Sequence, residues 1–263
     1  MAAGSPVGLK ASAADPALQL LDVTVAFDAL RAVDRVTLAV PRGQRRAIIG
    51  PNGAGKTTLF NAITGVILPT AGRITFDGHD MTRMPPHRRA RLGISRTFQI
   101  TNLFPTLSVE DNLVLALRGG SRRKFALLGA SACDPREESL LSAALAFARL
   151  HTHAATVVRE LSYGEQRQLE LALAIVASPE LVLLDEPAAG LSPAERRIVA
   201  DVIRALPRTL TIVLIEHDMD LALGLADYVT CLHEGRVLIE ADPDAIRRDA
   251  QVQEVYLGRP HHA

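Results

Sequence analysis

Two stretches of this 263-residue chain combine residue types and spacings that could do chemistry. The first is Gly50-Pro51-Asn52-Gly53-Ala54-Gly55-Lys56-Thr57, which fits G-x-x-x-x-G-K-[ST] and is followed by Thr58. Glycines let the backbone turn tightly enough for successive N–H groups to converge on phosphate oxygens. A helix that starts behind such a loop adds the partial positive charge of its N-terminus. Lys56 then stands to neutralise β- and γ-phosphates, and the Thr57 hydroxyl to ligate Mg²⁺. Phosphate binding is therefore assigned to Gly50, Pro51, Asn52, Gly53, Ala54, Gly55, Lys56, Thr57 and Thr58. A glycine-rich turn with a stray lysine is the plain alternative, and the flanking strand and helix signals count against it.

The second stretch is Leu181-Val182-Leu183-Leu184-Asp185-Glu186, an apolar run ending in two carboxylates. Such a run suits a strand covered on both faces, and ligands gather at the C-terminal ends of parallel strands. Asp185 would hold Mg²⁺ directly or through water. Glu186 points elsewhere and could polarise an attacking water. Taken alone, a solvated acidic turn explains the pair equally well; the phosphate loop upstream decides for the functional reading. A further hexapeptide, Leu161-Ser162-Tyr163-Gly164-Glu165-Gln166, opens a helical run from Arg167 to Ala177. Ser162 as N-cap with Glu165 three residues later makes a capping box, and local physics admits nothing more than a well-capped helix there.

The elements that must position these residues alternate in period. Residues 1–18 are rich in Ala, Gly, Ser and Pro without periodicity and are expected to form a disordered leader. From Gln19 onward, short β-branched runs alternate with helical patterns, as in an α/β domain with parallel strands. Arg45 to Ile49 reads as a buried strand, and Lys56 to Thr64 as a helix stopped by Gly65. Arg73 to Phe76, closed by Asp77-Gly78, reads as one arm of a hairpin. The middle, about 102–165, reads as a helical insert, with helices over Val109 to Leu117 and Glu137 to Leu150 and a loop over 118–133. Strands return at Leu181 to Asp185, Leu210 to Ile215, Tyr228 to Leu232 and Arg236 to Glu240, with helices at Pro193 to Ala205 and Met219 to Ala226.

Composition narrows the function classes. Lys plus Arg and Asp plus Glu are both 29, so the formal charge is zero, which argues against a dedicated nucleic-acid binder. Cys133 and Cys231 are distant and lack metal-ligand spacing, which disfavours a disulfide scaffold or cysteine zinc site. Apolar stretches such as Leu171 to Ala177 fall short of the roughly 20 residues that span a bilayer. Met1 to Asp15 has one Lys and no apolar core, so a signal peptide is not expected.

Phosphate loop, hexapeptide and apolar-Asp-Glu occur in the order found in the ATP-binding cassette (ABC) family, and the hexapeptide resembles that family's LSGGQ signature, with departures at Tyr163 and Glu165. The resemblance covers about 19–258, leaving 259–263 as a tail. It implies a P-loop NTPase core, RecA-like with a mixed sheet and an antiparallel β subdomain, and an inserted helical subdomain. It implies ATP and Mg²⁺ as cofactors and hydrolysis of ATP coupled to transmembrane transport. Gln99 matches the glutamine that senses Mg²⁺ and the permease, and Ala189 to Ser192 the D-loop. His217 matches the switch histidine that contacts the γ-phosphate. Phe27 corresponds to the aromatic residue that stacks on adenine, or is a core residue of an early strand.

In that family two cassettes face each other, and ATP on one chain's loop is capped by Ser162 and Gly164 of the opposing signature, where a helix N-terminus and small residues suit a γ-phosphate. The partners implied are a second cassette, either a sister chain or a second copy, two transmembrane permease subunits and, indirectly, a periplasmic solute-binding protein. The implied location is the cytoplasmic face of the inner membrane. Gly93 to Gln99, Leu103-Phe104-Pro105, the Tyr163 signature and Tyr256-Leu257-Gly258 resemble the insert-bearing ATPase of branched-chain amino-acid importers. Relatives of that group serve urea, amides, aromatic acids or lipopolysaccharide. A soluble cassette ATPase of DNA repair or translation, and a small-molecule kinase, are the readings from other classes.

Overall fold

The computed structural model describes residues 16–97, 103–119 and 134–257. The chain opens with two long antiparallel strands, β1 (Leu18–Phe27) and β2 (Leu30–Val40), in which Val36, Leu38 and Val40 turn inward between exposed neighbours. With β4 (Ala71–Phe76) and β5 (His79–Asp80) they form an antiparallel sheet of order β2-β1-β4-β5. The expected hairpin closed by Asp77-Gly78 joins these last two strands.

The second sheet has the order β10-β9-β3-β8-β7-β6. Its strands are β3 (Arg45–Ile49), β6 (Ile94–Arg96), β7 (Leu181–Asp185), β8 (Thr211–Ile215), β9 (Tyr228–His233) and β10 (Arg236–Ala241). All neighbours pair in parallel except the antiparallel β9–β10 hairpin at the edge. Every residue of β3, β7 and β8 is buried, which is why β7 and β8 read as near-continuous apolar runs; in β3 the buried Arg45 and Arg46 precede Ala47, Ile48 and Ile49.

Helix α1 (Lys56–Thr64) is sandwiched between the sheets: its Leu59, Phe60 and Ile63 pack with Leu20, Leu38 and Ile74 on one side and Ile48, Leu183 and Val213 on the other. The opposite face of the parallel sheet is covered by α6 (Pro193–Ala205), α7 (Met219–Leu225) and α8 (Pro243–Arg248), through Val199, Val202, Ile203, Leu225 and Ile246. Between β6 and β7 the chain leaves the sheet for α3 (Val109–Gly119), α4 (Pro135–Phe147) and α5 (Tyr163–Ile175), which share their own core of Val109, Leu113, Leu141, Leu161 and Leu169. A short helix α2 (Pro86–Arg91) precedes β6, and α9 (Ala250–Leu257) ends the described chain.

Several boundaries differ from those read in the sequence. Strand β1 starts at Leu18, inside the segment read as leader; Leu18 pairs with Val40 and Phe76, the Ala17 carbonyl accepts the Asp77 N–H, and both residues are buried in the core. Helix α3 runs to Gly119, past Leu117, and α4 stops at Phe147 before a single turn at His151–His153. Residues 1–15, 120–133 and 258–263, which hold most of the expected leader and loop and the tail, lie outside the described residues, as does Gln99.

The C-terminus of α1 shows how one buried cation can close a helix. The chain turns at Gly65 with φ +79°, and a Cβ there would meet Arg89 Nε at 2.7 Å. Arg89 is fully buried and donates from Nη1 to the carbonyls of Ala62 and Ile63 at 2.6 and 2.7 Å, and from Nε to Met84 at 2.8 Å. Burial pulls its guanidinium down to about 10. Replacing it removes the side-chain donor to the Ile63 carbonyl and leaves Ala62 with only the Gly65 N–H at 3.3 Å. Arg89→Met is expected to lower unfolding stability by about 3 kcal/mol, read from urea denaturation; a loss below about 1 kcal/mol would mean that other donors satisfy those carbonyls.

Candidate functional site

The parallel strands β3, β7 and β8 deliver the chemistry-bearing residues from their C-terminal ends, where ligands of open α/β sheets bind. From β3 the chain turns through Gly50 (φ +149°) and reaches α1 by way of Gly55 (φ +97°). Neither position has room for a side chain. A Cβ on Gly50 would meet the Leu232 carbonyl oxygen at 2.2 Å, and one on Gly55 the Ala32 carbonyl oxygen at 2.3 Å. The loop is braced from outside as well: Gly235, in the β9–β10 turn, donates its N–H to Ala54, and Gly50 donates its N–H to the Tyr256 hydroxyl at 2.5 Å. No side chain caps α1, so the N–H groups at its N-terminus have no capping side-chain acceptor.

Lys56 is buried and donates from Nζ to the carbonyls of Gly50 (2.6 Å) and Pro51 (3.0 Å), which lays its side chain across the loop. Burial lowers its pKa, against the pull of the nearby Glu186 and Asp185 carboxylates. These carboxylates come from the end of β7. Asp185 is buried; its N–H donates to Thr97 Oγ1 at 3.2 Å, and its Oδ2 accepts from Arg96 Nη2 at 2.6 Å. Its second oxygen, Oδ1, is buried with no hydrogen-bond partner among the described residues. Buried polar atoms are nearly always partnered, and an unpartnered carboxylate oxygen is the kind of ligand that suits a hard divalent cation.

Glu186 follows with φ +48°, a left-handed turn that swings its side chain away from that of Asp185. Its N–H is held by the Ile215 carbonyl of β8, and its Oε1 lies 2.5 Å from His217 Nε2. His217 is about half exposed and Glu186 nearly buried. The sequence places these two residues on different strands; parallel pairing of β7 with β8 brings them together.

Other residues expected at the site stand elsewhere. Ser162 caps α5 and, with Glu165, forms the capping box read in the sequence, at 2.8 Å from the Ser162 N–H to Glu165 Oε2. Gly164 lies against Glu195 of α6, where a Cβ would meet Glu195 Oε1 at 2.6 Å. Tyr163, the departure from LSGGQ, accepts from Arg167 at 2.6 Å and donates to the Ala189 carbonyl at 3.4 Å, joining the signature to the segment after Glu186. None of these partners belongs to the phosphate loop. Phe27 is 47% exposed at the tip of β1, opposite Leu30, so it is not a core residue; the Ala32 carbonyl just beyond this tip touches Gly55.

Three residues of the site were not singled out by their chemistry in the sequence. Arg96 and Tyr256 contact Asp185 and Gly50 across 89 and 206 residues of chain, separations no local pattern encodes. The only available signal for Arg96 was a cation at the end of a short strand, where ligands gather. Glu216 is the third: it is buried at the end of β8, and its Oε1 accepts the Ala188 N–H at 3.1 Å.

A phosphate loop between a buried strand and a helix, with Asp-Glu at the end of another parallel strand of the same sheet, defines a P-loop nucleotide-binding ATPase. Comparison with known proteins narrows the class: the ABC transporter family matches residues 33–189. The high-affinity branched-chain amino acid transport ATP-binding protein BraF of Pseudomonas aeruginosa is 37% identical, over 92% of this chain and 98% of its own. The ADP conformation of MJ1267, an ATP-binding cassette of an ABC transporter, superimposes with a TM-score of 0.82 at 28% identity, over 92% of this chain and 99% of that one. The dimeric structure of MJ0796, a bacterial ABC transporter cassette, gives 0.73 at 25% identity, over 86% and 98%. The chain belongs to the ABC transporter family, as one of its ATP-hydrolysing cassettes. None of its described helices is long and apolar enough to cross a membrane.

The Glu216 carboxyl is pushed up to about 7 by burial, with the Glu186 and Asp218 charges adding to the effect. A carboxyl whose folded value lies above its ordinary value of 4.5 binds its proton more tightly when folded, so its contribution to stability is full below 4.5 and is lost as pH rises through about 7. Glu216→Gln is expected to flatten the fall in melting temperature between about pH 5 and 8; a fall of the same size in both proteins would remove Glu216 as its source.

Proposed function

We propose that this chain is the ATP-hydrolysing subunit of an importer for branched-chain amino acids or a related small polar solute. It works with a second cassette, two permease subunits and a periplasmic solute-binding protein, at the cytoplasmic face of the membrane. The helical subdomain of about 102–165, inserted in the core, is the part that faces the permease. The solute class is supported by the similarity to BraF across nearly the full length of both chains. Pairing of two cassettes is supported by the dimeric MJ0796 cassette and by the position of the signature, whose partners lie on α6 and the segment before it.

The observation that carries the hydrolytic reading is the meeting of Glu186 with His217 at the ends of adjacent strands, beside Lys56 and Asp185. In this reading the Gly50–Thr58 loop holds the triphosphate through backbone N–H groups, and Lys56 moves from the Gly50 and Pro51 carbonyls to the β- and γ-phosphates. Thr57, Asp185 and Gln99 would hold Mg²⁺, which when bound would spread the phosphate charge. Glu186 accepts a proton from water as its oxygen bonds to the γ-phosphorus; the bond from that phosphorus to the β–γ bridging oxygen breaks, and ADP leaves with that oxygen. His217 keeps the Glu186 carboxylate oriented and contacts the γ-phosphate. The exposed Phe27 ring offers a face for adenine. Ser162 and Gly164 close over the γ-phosphate of the opposing cassette, with the α5 N-terminus aimed at it.

General-base assistance is worth roughly 10²–10⁴ in rate. Glu186→Gln is therefore expected to lower kcat by at least about 100-fold while the ATP dissociation constant stays within about threefold; near-normal turnover contradicts the assignment. Lys56→Ala is expected to weaken ATP binding by about tenfold or more in titration calorimetry, and unchanged affinity would exclude it as the phosphate anchor. For the solute, reconstitution with the permeases and binding protein should show ATPase stimulation by leucine, isoleucine or valine; stimulation by another solute alone would reassign the substrate.

A further inference from the structure

The guanidinium of Arg96 joins three elements of the nucleotide site. From the end of β6, Nη2 donates to Asp185 Oδ2 at 2.6 Å, and Nη1 donates to Asn61 Oδ1 at 2.6 Å and lies 3.4 Å from Thr64 Oγ1, both on α1. The group sits 5.9 Å from the centre of the Phe60 ring. Its side chain is 10% exposed and that of Asp185 is 1% exposed, so the pair is desolvated.

A guanidinium that serves only to neutralise a carboxylate commonly grips both of its oxygens in parallel. Here the fork is split between two acceptors on two different elements. One arm fixes Asp185 Oδ2 and the other fixes Asn61, which leaves Asp185 Oδ1 buried and without a hydrogen-bond partner among the described residues. Asn61 lies four residues after Thr57, hence one turn along the same face of α1. The next residue along the chain, Thr97, accepts the Asp185 N–H and donates its own N–H to Leu183, so β6 and its continuation hold both backbone and side chain of Asp185.

We propose that Arg96 is a positioning residue for the Mg²⁺ site: its split fork sets the orientation of the Asp185 carboxylate relative to the helix that carries Thr57. The inference rests on the reading of Thr57 and Asp185 as the Mg²⁺-holding residues. A lysine at position 96 keeps the charge but, as a point charge, cannot span both acceptors in a fixed plane.

The test uses full-length protein carrying Glu186→Gln, with ATP bound, and reads Mn²⁺ affinity by electron paramagnetic resonance and ATP affinity in EDTA by calorimetry. Outer partners of metal ligands are typically worth 10–100-fold in metal affinity. Arg96→Lys and Arg96→Met are both expected to weaken Mn²⁺ binding about tenfold or more, with metal-free ATP affinity within about twofold. Asn61→Ala, which keeps both Arg96 and Asp185, is expected to weaken Mn²⁺ binding by about threefold and supplies the answer should the Arg96 variants not fold. Wild-type Mn²⁺ affinity in Arg96→Lys or Asn61→Ala overturns the proposal in favour of a simple counter-charge. Tighter binding in Arg96→Met overturns it in favour of a repelling one. An unsubstituted site that takes up no Mn²⁺ with ATP overturns the metal-site reading itself, whatever the variants do.

Discussion

The structure depends on a backbone that must change from strand to helix within six residues while keeping its N–H groups turned to one side. Such a turn is costly for ordinary residues, and here it is enforced from outside rather than by the loop alone. Gly50 and Gly55 are pressed against the carbonyls of Leu232 and Ala32, from β9 and β2, so both sheets abut the loop. The β9–β10 turn holds Ala54, and the C-terminal helix α9 reaches back so that Tyr256 accepts the Gly50 N–H. Burial pushes the Tyr256 hydroxyl up to about 12, which keeps it neutral. A site that binds a polyanion through amide dipoles works only if those dipoles are aimed before the ligand arrives. The two-sheet frame around α1 supplies that aim.

Acidic groups close to a site proposed for a triphosphate need explanation, because like charges repel. The structure separates them by environment. Asp185 is paired with Arg96, Glu186 lies against His217, and Glu216 is buried deeply enough to be half protonated near neutrality. The signature residues have acidic neighbours as well. Gly164 is crowded by Glu195 and Ser162 is engaged by Glu165, so carboxylates of the same chain already line the α5 N-terminus. Tyr163 ties that terminus to the Ala189 carbonyl, which gives the departure from the LSGGQ pattern a definite contact.

What was legible in the sequence was whatever local physics decides. The bounds of β3, α1, β7 and α6 were read to the residue, with Gly65 marking the end of α1 and a continuous apolar run marking β7. The Ser162–Glu165 capping box was legible for the same reason. By contrast β1 and β2 were read only as strand texture, since irregularities in their pairing interrupt the alternation of side chains. The phosphate loop and the Asp-Glu pair were visible as motifs. The contacts that orient them, Arg96 on Asp185, Tyr256 on Gly50 and Glu216 on Ala188, arise only when distant strands and helices meet.

The central claim is that the phosphates, gripped by the 50–58 loop, supply most of the nucleotide affinity, with adenine adding little beyond the exposed Phe27 ring. Titration of the purified chain with ATP, ADP and AMP in Mg²⁺ tests this most directly. The account predicts ATP and ADP binding at least about 100-fold tighter than AMP, because AMP lacks the groups that Lys56 and the α1 N-terminus would hold. Comparable affinities for all three would contradict it and move the main recognition to the base.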